Sequence, residues 1–362
     1  MTVAVQISGA VMDEERQLKQ AIFFCNALAV SNPGLKACFI FNHPNISNNA
    51  QESGYQNICI TPSATNNLLL YFWYQFKLTA ELHKMNTTLF ISSGPCCSLR
   101  STTRSVICLD WPDLHNRNKR YLKKILPKFI NQSILIQVPN DLVQEQVLHQ
   151  YPLAEEKIAI IPTGFCLPLT ANTEGSMAEI KNELTGGKEY FLYEARCGTI
   201  EDCITQLKAF SHFKKWQQSN FRLVLIVSEE QHKAISVKLA TYKYKIAVHL
   251  LLSEEKDHSK ILYAAAYTVL LMPSNLGVNP YIIHILESGA PLVLPDHPYY
   301  RSSFGAAVHY TAPDEKGVSQ AMILMYKNED TRNSLLQHAA EKMKEHSLEN
   351  SSWKLAEAIL KT

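Results

Sequence analysis

Residues 132–165 read QSILIQVPNDLVQEQVLHQYPLAEEKIAIIPTGF, and residues 263–295 read YAAAYTVLLMPSNLGVNPYIIHILESGAPLVLP. In both, an apolar run of strand length gives way to an amphipathic helical stretch and then to a second apolar run. Strand, crossover helix and strand make a βαβ unit, and such units build parallel sheets with helices on both faces.

The alternation continues outward from these two stretches. In the first half the strand-like runs are Val3–Ser8, Lys36–Phe41, Asn57–Ile60, Thr88–Ile91, Val106–Leu109, Ile134–Gln137 and Ile158–Ile161. Helical periodicity lies between them over Asp13–Val30, Leu68–Lys84 and Arg117–Asn131. In the second half the strand-like runs are Tyr190–Ala195, Phe221–Val227, Ala247–Leu251, Thr268–Met272, Pro291–Leu294 and Ala307–Tyr310. Helical patterns cover Thr199–Trp216, Glu229–Tyr242, His258–Ala265 and Pro280–Ser288, then Glu315–Lys327, Asp330–Glu345 and Ser351–Leu360. Between the halves, residues 162–188 are rich in Gly, Pro, Thr and Asn, as a linker is. The expectation is an α/β protein with two doubly wound, Rossmann-like domains facing across a cleft. Residues 1–165 form the first, 166–188 the linker, and 189–348 the second; 349–362 form a closing helix that packs back on the first.

Composition sets the class. The chain has 362 residues, enough for two domains at roughly 150 residues each. With 46% hydrophobic residues it can bury two cores, which excludes a disordered chain. A net charge of +2 gives no general attraction for polyanions, so no nucleic-acid partner is expected. The nine cysteines include no Cys-x-x-Cys pair, and several sit inside apolar runs, so they read as reduced thiols of a cytoplasmic protein. The N-terminus lacks the pattern of a secretory signal. No run reaches about 18 consecutive apolar residues, so no membrane span is expected. No Walker loop, His-Glu-x-x-His, Gly-x-Ser-x-Gly or zinc-ligand spacing occurs, and neither a metal nor a resident cofactor is expected.

The order of the stretches resembles the retaining glycosyltransferases of the GT-B fold. Residues 132–165 are similar to the segment that closes their first domain. GGKEYFLYEARCGTIEDCITQLKAFSHFKK (186–215) is similar to the opening of their second, "K-P-Y-x-L-Y-V-G-R" followed by a helix. Residues 263–295 resemble "Y-x-x-A-D-x-x-x-x-P-S-x-x-E-G-F-G-L-P-x-x-E-A-M-A-x-G-x-P-V-V". RNKRYLKKILPKFI (117–130) and the closing helix near Trp353 fit the same scheme. The resemblance covers most of the chain. It implies a nucleotide-sugar donor, held without a metal by cations and helix dipoles.

The same resemblance locates the donor site, and most of its positions are substituted. Such enzymes grip the donor diphosphate with an Arg and a Lys, because fixed cations stabilise the charge developing on the leaving group. Arg196 stands at the Arg position and Glu201 at the Lys position, where an anion would repel the diphosphate. Arg196 is therefore either a phosphate anchor or a structural cation paired with Glu194 or Glu201. Two Glu residues eight apart hold the sugar and the ribose in the family. Anchored on Gly289-Ala290-Pro291, these positions fall on Leu276 and His284; a different register pairs Asn279 with Glu287. In the first domain Leu109 replaces a family His, while Asp110 follows it as in the family, and only one Gly lies in residues 8–12. Backbone amides of Gly277, Val278 and Asn279, before a helix opened by Pro280, are the remaining candidate anion contacts.

Two functional expectations follow. One is a catalytically impaired relative: a partner or stabilising subunit of an active glycosyltransferase, a homo-oligomer, or a glycan-binding module. The other is an active retaining transferase with a site remodelled around Arg196, His284 and Asp110. The basic run Arg117, Lys119, Arg120, Lys123, Lys124 and Lys128 is interleaved with apolar residues at helical spacing. It reads as a solvated face over a buried stripe, or as a peripheral contact with an anionic membrane. The cluster Tyr71-Phe72-Trp73-Tyr74 reads as core or interface rather than as a sugar platform.

Overall fold

The computed structural model describes the chain apart from residues 8–10, 43–53, 62–66, 116–119, 152–154, 167–173, 253–258 and 278. It divides into two compact units, Met1–Gly164 with His346–Thr362, and Phe165–Glu345. Each expected strand has a counterpart whose ends lie within two residues, thirteen in all. Short apolar runs bounded by turn residues leave few other places for a strand to start or stop.

In the first unit the strands are β1 (Thr2–Ile7), β2 (Lys36–Phe41), β3 (Gln56–Cys59), β4 (Leu89–Ile91), β5 (Arg104–Cys108), β6 (Leu135–Val138) and β7 (Ile158–Ile160). They form one sheet in the order β3-β2-β1-β4-β5-β6-β7, and every pairing is parallel. Val3, Val5, Phe39 and Phe41 pack with Leu18, Phe24 and Leu28 of the helix Val11–Ser31. The closing helix, Leu348–Leu360, covers that helix. It adds Leu355, Ala356 and Ile359 to the core, and the Ser352 hydroxyl donates to the Gln20 carbonyl at 3.0 Å. Gly164 passes so close to the helix start that a Cβ there would lie 2.8 Å from Leu348 Cα.

One helix departs from expectation. Leu68–Lys84 is not a single α-helix: Asn67–Phe72 and Thr79–Lys84 flank a π-helical segment, Trp73–Leu78. Three consecutive side chains of this stretch are buried, and each has a polar partner. The Trp73 indole donates to the Ile60 carbonyl at 3.2 Å, the Tyr74 hydroxyl to Gln6 Oε1 at 2.8 Å, and the Gln75 amide to the Cys97 carbonyl at 3.0 Å. The wider π turn brings consecutive side chains somewhat closer together around the axis than a period of 3.6 residues does. Within the aromatic cluster, Trp73 and Tyr74 are core, while Phe72 is half-exposed.

In the second unit β8 (Tyr190–Glu194), β9 (Arg222–Val227), β10 (Val248–Leu252), β11 (Thr268–Leu270), β12 (Leu292–Pro295) and β13 (His309–Thr311) are ordered β10-β9-β8-β11-β12-β13, again all parallel. Strand β8 is central and buried on both faces, as its unbroken apolar start requires. Side chains close the helix starts. Thr199 and Asp202 form a capping box at Ile200–Gln217, and Ser228 and Gln231 form another at Glu229–Ala240. The helix Glu174–Thr185, inside the Gly/Pro-rich stretch, packs on Ser259–Ala265 of this unit.

All nine cysteines carry free thiols. Burial raises Cys25, Cys97, Cys108, Cys197 and Cys203 to about 12 and Cys38 to about 11. Raised values mean almost no thiolate, the reactive form, at pH 8. Native protein treated with iodoacetamide at pH 8 should therefore spare these six, whereas all nine should alkylate in guanidinium. Peptide mass spectrometry reads this directly, and rapid native labelling of Cys197 would contradict it. Among the described residues no helix is long and apolar enough to cross a membrane, and no cluster of His, Cys, Asp and Glu could hold a metal ion.

Candidate functional site

An open parallel sheet offers a crevice at the carboxyl ends of its strands, where the strand order reverses. In the second unit that point lies between β8 and β11, and Glu194 ends β8 there. The following turn, Ala195–Thr199, is pinned from three sides. Ala195 N–H donates to the Ile226 carbonyl at 3.0 Å, and Ser274 N–H donates to the Cys197 carbonyl at 2.9 Å. The Gln231 amide donates to the carbonyls of Ala195 at 2.7 Å and Gly198 at 3.1 Å. Position 198 is tightly enclosed: a Cβ there would lie 2.7 Å from the Tyr193 hydroxyl and 3.3 Å from the Met272 carbonyl, so any larger residue would have to displace Tyr193.

This turn presents Arg196, and of the two carboxylates near it in sequence the structure pairs it with Glu194. The guanidinium Nε donates to Glu194 Oε1 at 2.8 Å, and Nη2 to Oε2 at 2.7 Å, a bidentate fork. Arg196 N–H adds a third bond to Oε1 at 3.1 Å. The Tyr263 hydroxyl donates to Glu194 Oε2 at 2.6 Å and accepts from Arg196 Nη2 at 3.1 Å. The Tyr281 ring stacks on the guanidinium 4.5 Å from its centre. Glu194 is 0% exposed and the Arg196 side chain 13%. Burial would lower the Arg196 pKa, but the Glu194 hydrogen bonds and charge outweigh it and hold the cation more firmly. Burial, then the Glu194 carboxylate, pushes the Tyr263 hydroxyl well up, so it stays a donor. Of the Arg196 guanidinium, Nη1 alone has no hydrogen bond among the described residues.

Glu201 is elsewhere. It is exposed in the first turn of Ile200–Gln217, where an acidic side chain suits the helix dipole, and Arg196 does not reach it. Gly277 is buried at φ 138°, a conformation that favours glycine, and Leu276 is half-buried beside it. Val278 lies outside the described residues. Asn279 caps its own helix, Pro280–Glu287: its side chain accepts from Tyr281 N–H at 2.9 Å, while its carbonyl accepts from Ile282 N–H at 3.0 Å. The first amides of that helix are therefore already engaged.

His284 is buried in this helix, its Nδ1 3.7 Å from Glu287 Oε2. Glu287, also buried, accepts Cys166 N–H on Oε1 at 2.7 Å and has Lys260 Nζ 3.5 Å from Oε2. Both carboxylate oxygens thus face groups of their own unit. In the first unit Leu109 is fully buried and Asp110 begins the short helix Trp111–His115, with Oδ1 accepting from Trp111 N–H at 2.7 Å. Residues 8–10 lie outside the described residues, as do Arg117 and Lys119. In the helix Arg120–Gln132, Lys124 and Lys128 are exposed while Leu126, Phe129 and Ile130 are buried, a solvated face over an apolar stripe.

The second unit thus brings Arg196, Asn279 and Cys197 together, with Glu194, Tyr263 and Tyr281 around them; Glu201 does not join them. Tyr263 and Tyr281 carried no sequence signal beyond their places in the quoted 263–295 stretch.

No protein-family model matches the chain, and no curated protein matches its sequence. Its fold does match solved structures across the whole length. A glycosyltransferase from Rickettsia africae aligns with 100% of this chain and 99% of its own at TM-score 0.70 and 12% identity. HepE of Anabaena, solved with UDP-glucose, covers 100% of both chains at TM-score 0.73 and 11% identity. The N-terminal domain of a trehalose-6-phosphate phosphatase from Candida albicans covers 99% of this chain and 96% of its own at TM-score 0.74 and 11% identity. A UDP-GlcNAc 2-epimerase from Neisseria meningitidis, solved with UDP-GlcNAc, reaches TM-score 0.66 at 12% identity over 100% of both chains. The chain thus has the two-domain, Rossmann-like GT-B fold. Transferases and epimerases share it, so the function must be argued from the site.

Proposed function

We propose that this chain is a glycosyltransferase-like GT-B protein that transfers no sugar itself and acts as a partner or stabilising subunit of an active glycosyltransferase. The observation that carries the reading is the Arg196–Glu194 fork. A diphosphate anchor has to present its cation to the ligand; here a buried carboxylate has taken both fork positions before any ligand arrives. Glu194 occupies a place where the family pattern has Val, so this neutralising anion comes from the chain's own strand end. Glu201 and Leu276 point the same way: one adds negative charge where the pattern has Lys, the other cannot accept a hydrogen bond from a sugar hydroxyl.

The neighbours solved with UDP-glucose and UDP-GlcNAc supply the probes. A nucleotide sugar at 100 times its dissociation constant stabilises a protein by about 2.7 kcal/mol, a shift easily read in a melting curve. The purified chain should show no shift with UDP, UDP-glucose or UDP-GlcNAc, and no release of UDP. Sugar transfer or donor hydrolysis by the chain alone would overturn the proposal. It would favour the active reading instead, in which the open Nη1 end of Arg196, with His284 and Asp110, serves a remodelled site.

A further inference from the structure

In the second unit the helices Ile200–Gln217 and Glu315–Lys327 border a groove of about 630 Å³. Helix Ile200–Gln217 returns from the carboxyl ends of the strands to their amino ends. Sixteen residues at 1.5 Å rise place Trp216 about 24 Å along the axis from the Arg196 turn. Trp216 is 71% exposed, the most exposed aromatic side chain of the unit, and it faces this groove. Lys316, Gln320 and Lys327 are exposed along the opposite wall, and Gln217 lies beside the indole. None of these four polar heads has a hydrogen bond or ion pair among the described residues. The carboxylate at the groove, Glu315, is already engaged, with His212 Nε2 2.6 Å from its Oε1.

We infer that this groove is a binding site for an acidic oligosaccharide, stacked on Trp216 and paired through its carboxylates with Lys316 and Lys327. A pyranose ring has an apolar C–H face and a rim of hydroxyls; an exposed indole edged by side-chain amides matches both. The charge is right as well, since among the described residues Lys316 and Lys327 carry no ion pair and Glu315, the one carboxylate lining the groove, lies against His212. Their spacing argues for a chain of sugars rather than a nucleotide. Lys316 and Lys327 stand eleven residues apart, about 16 Å along the helix axis, too far for one diphosphate but matched to acidic groups spread along a short chain. A docked protein helix would need an apolar stripe, whereas this wall alternates Lys316, Gln320, Ile323 and Lys327. The site is independent of the donor-site proposal, because no residue is shared.

The test is a titration of the full chain with trigalacturonic acid, maltotriose and UMP, by tryptophan fluorescence and by calorimetry. Trigalacturonic acid should quench saturably and bind at least tenfold more tightly than maltotriose. Trp216→Ala should weaken it at least tenfold by calorimetry, and Lys316→Gln with Lys327→Gln should weaken it likewise and flatten its salt dependence. These side chains are exposed, so unchanged melting curves would certify the variants as folded. Equal affinity for maltotriose would overturn the acidic class. Tighter binding of UMP, an unaffected Trp216→Ala, or no binding of either trisaccharide would overturn the site.

Discussion

Glu194→Ala should destabilise the second unit by about 3–5 kcal/mol, the scale of a buried ion pair broken on one side. The variant leaves the Arg196 guanidinium in place, 13% exposed and stripped of both fork partners, and leaves the Tyr263 hydroxyl without its acceptor. Arg196→Ala should cost a similar amount for the mirror reason: a carboxylate with 0% exposure would keep only Tyr263 and one backbone amide. The double variant Glu194→Val/Arg196→Leu removes both charges and should recover most of the loss, because a buried pair stabilises little relative to packed apolar side chains. Urea denaturation of the two alanine variants and of Glu194→Ala/Arg196→Ala closes a thermodynamic cycle, with Glu194→Val/Arg196→Leu as the apolar replacement beside it. Single losses below about 1 kcal/mol, or additive losses in the double alanine variant, would refute the buried fork.

The second large effect belongs to Phe213. Its ring meets Phe191 at 5.0 Å, Tyr326 at 5.5 Å, Phe221 at 5.9 Å and Phe210 at 6.0 Å, joining two helices to the central strand. Phe213→Ala empties the middle of this cluster and should cost about 3–5 kcal/mol, against under about 2 kcal/mol for Phe213→Leu, which refills much of the space. Equal destabilisation by the two would show that shape, not buried volume, governs the site. The Ala variant should also loosen the wall of the Trp216 groove, since residues 212, 216 and 217 are carried on the same helix.

Much of the fold was legible because its signals are local. Leu192 and Val224 sit in runs too apolar to be anything but buried strand, and Thr199 with Asp202, or Ser228 with Gln231, spell a helix start within four residues. The π-helical segment was not legible. Nothing in residues 67–84 announces that Trp73, Tyr74 and Gln75 will each find a polar partner on a different part of the unit, at Ile60, Gln6 and Cys97. Likewise the sequence could say that Glu287 lies eight residues after Asn279, but not that its carboxylate would hold the backbone of Cys166.

The candidate site divides along the same line. Two Rossmann-like domains and the βαβ order follow from the order of residues alone, since each rests on neighbours along the chain; that Glu201, Leu276 and His284 stand at donor-site positions is what the resemblance implies. The pairing of Arg196 did not follow. Its sequence neighbours offered Glu194 and Glu201 as equal partners, and the anchor reading left it unpaired. Only the tertiary structure chose, because the strand ending at Glu194 buries that carboxylate beneath the turn while the helix beginning at Ile200 carries Glu201 out to solvent. Tyr263, sixty-nine residues from Glu194 and buried in the helix Ser259–Ala265, then closes the fork. A charge keeps or loses its availability through the partners that folding brings to it, and those partners are set by the packing of strands distant in sequence.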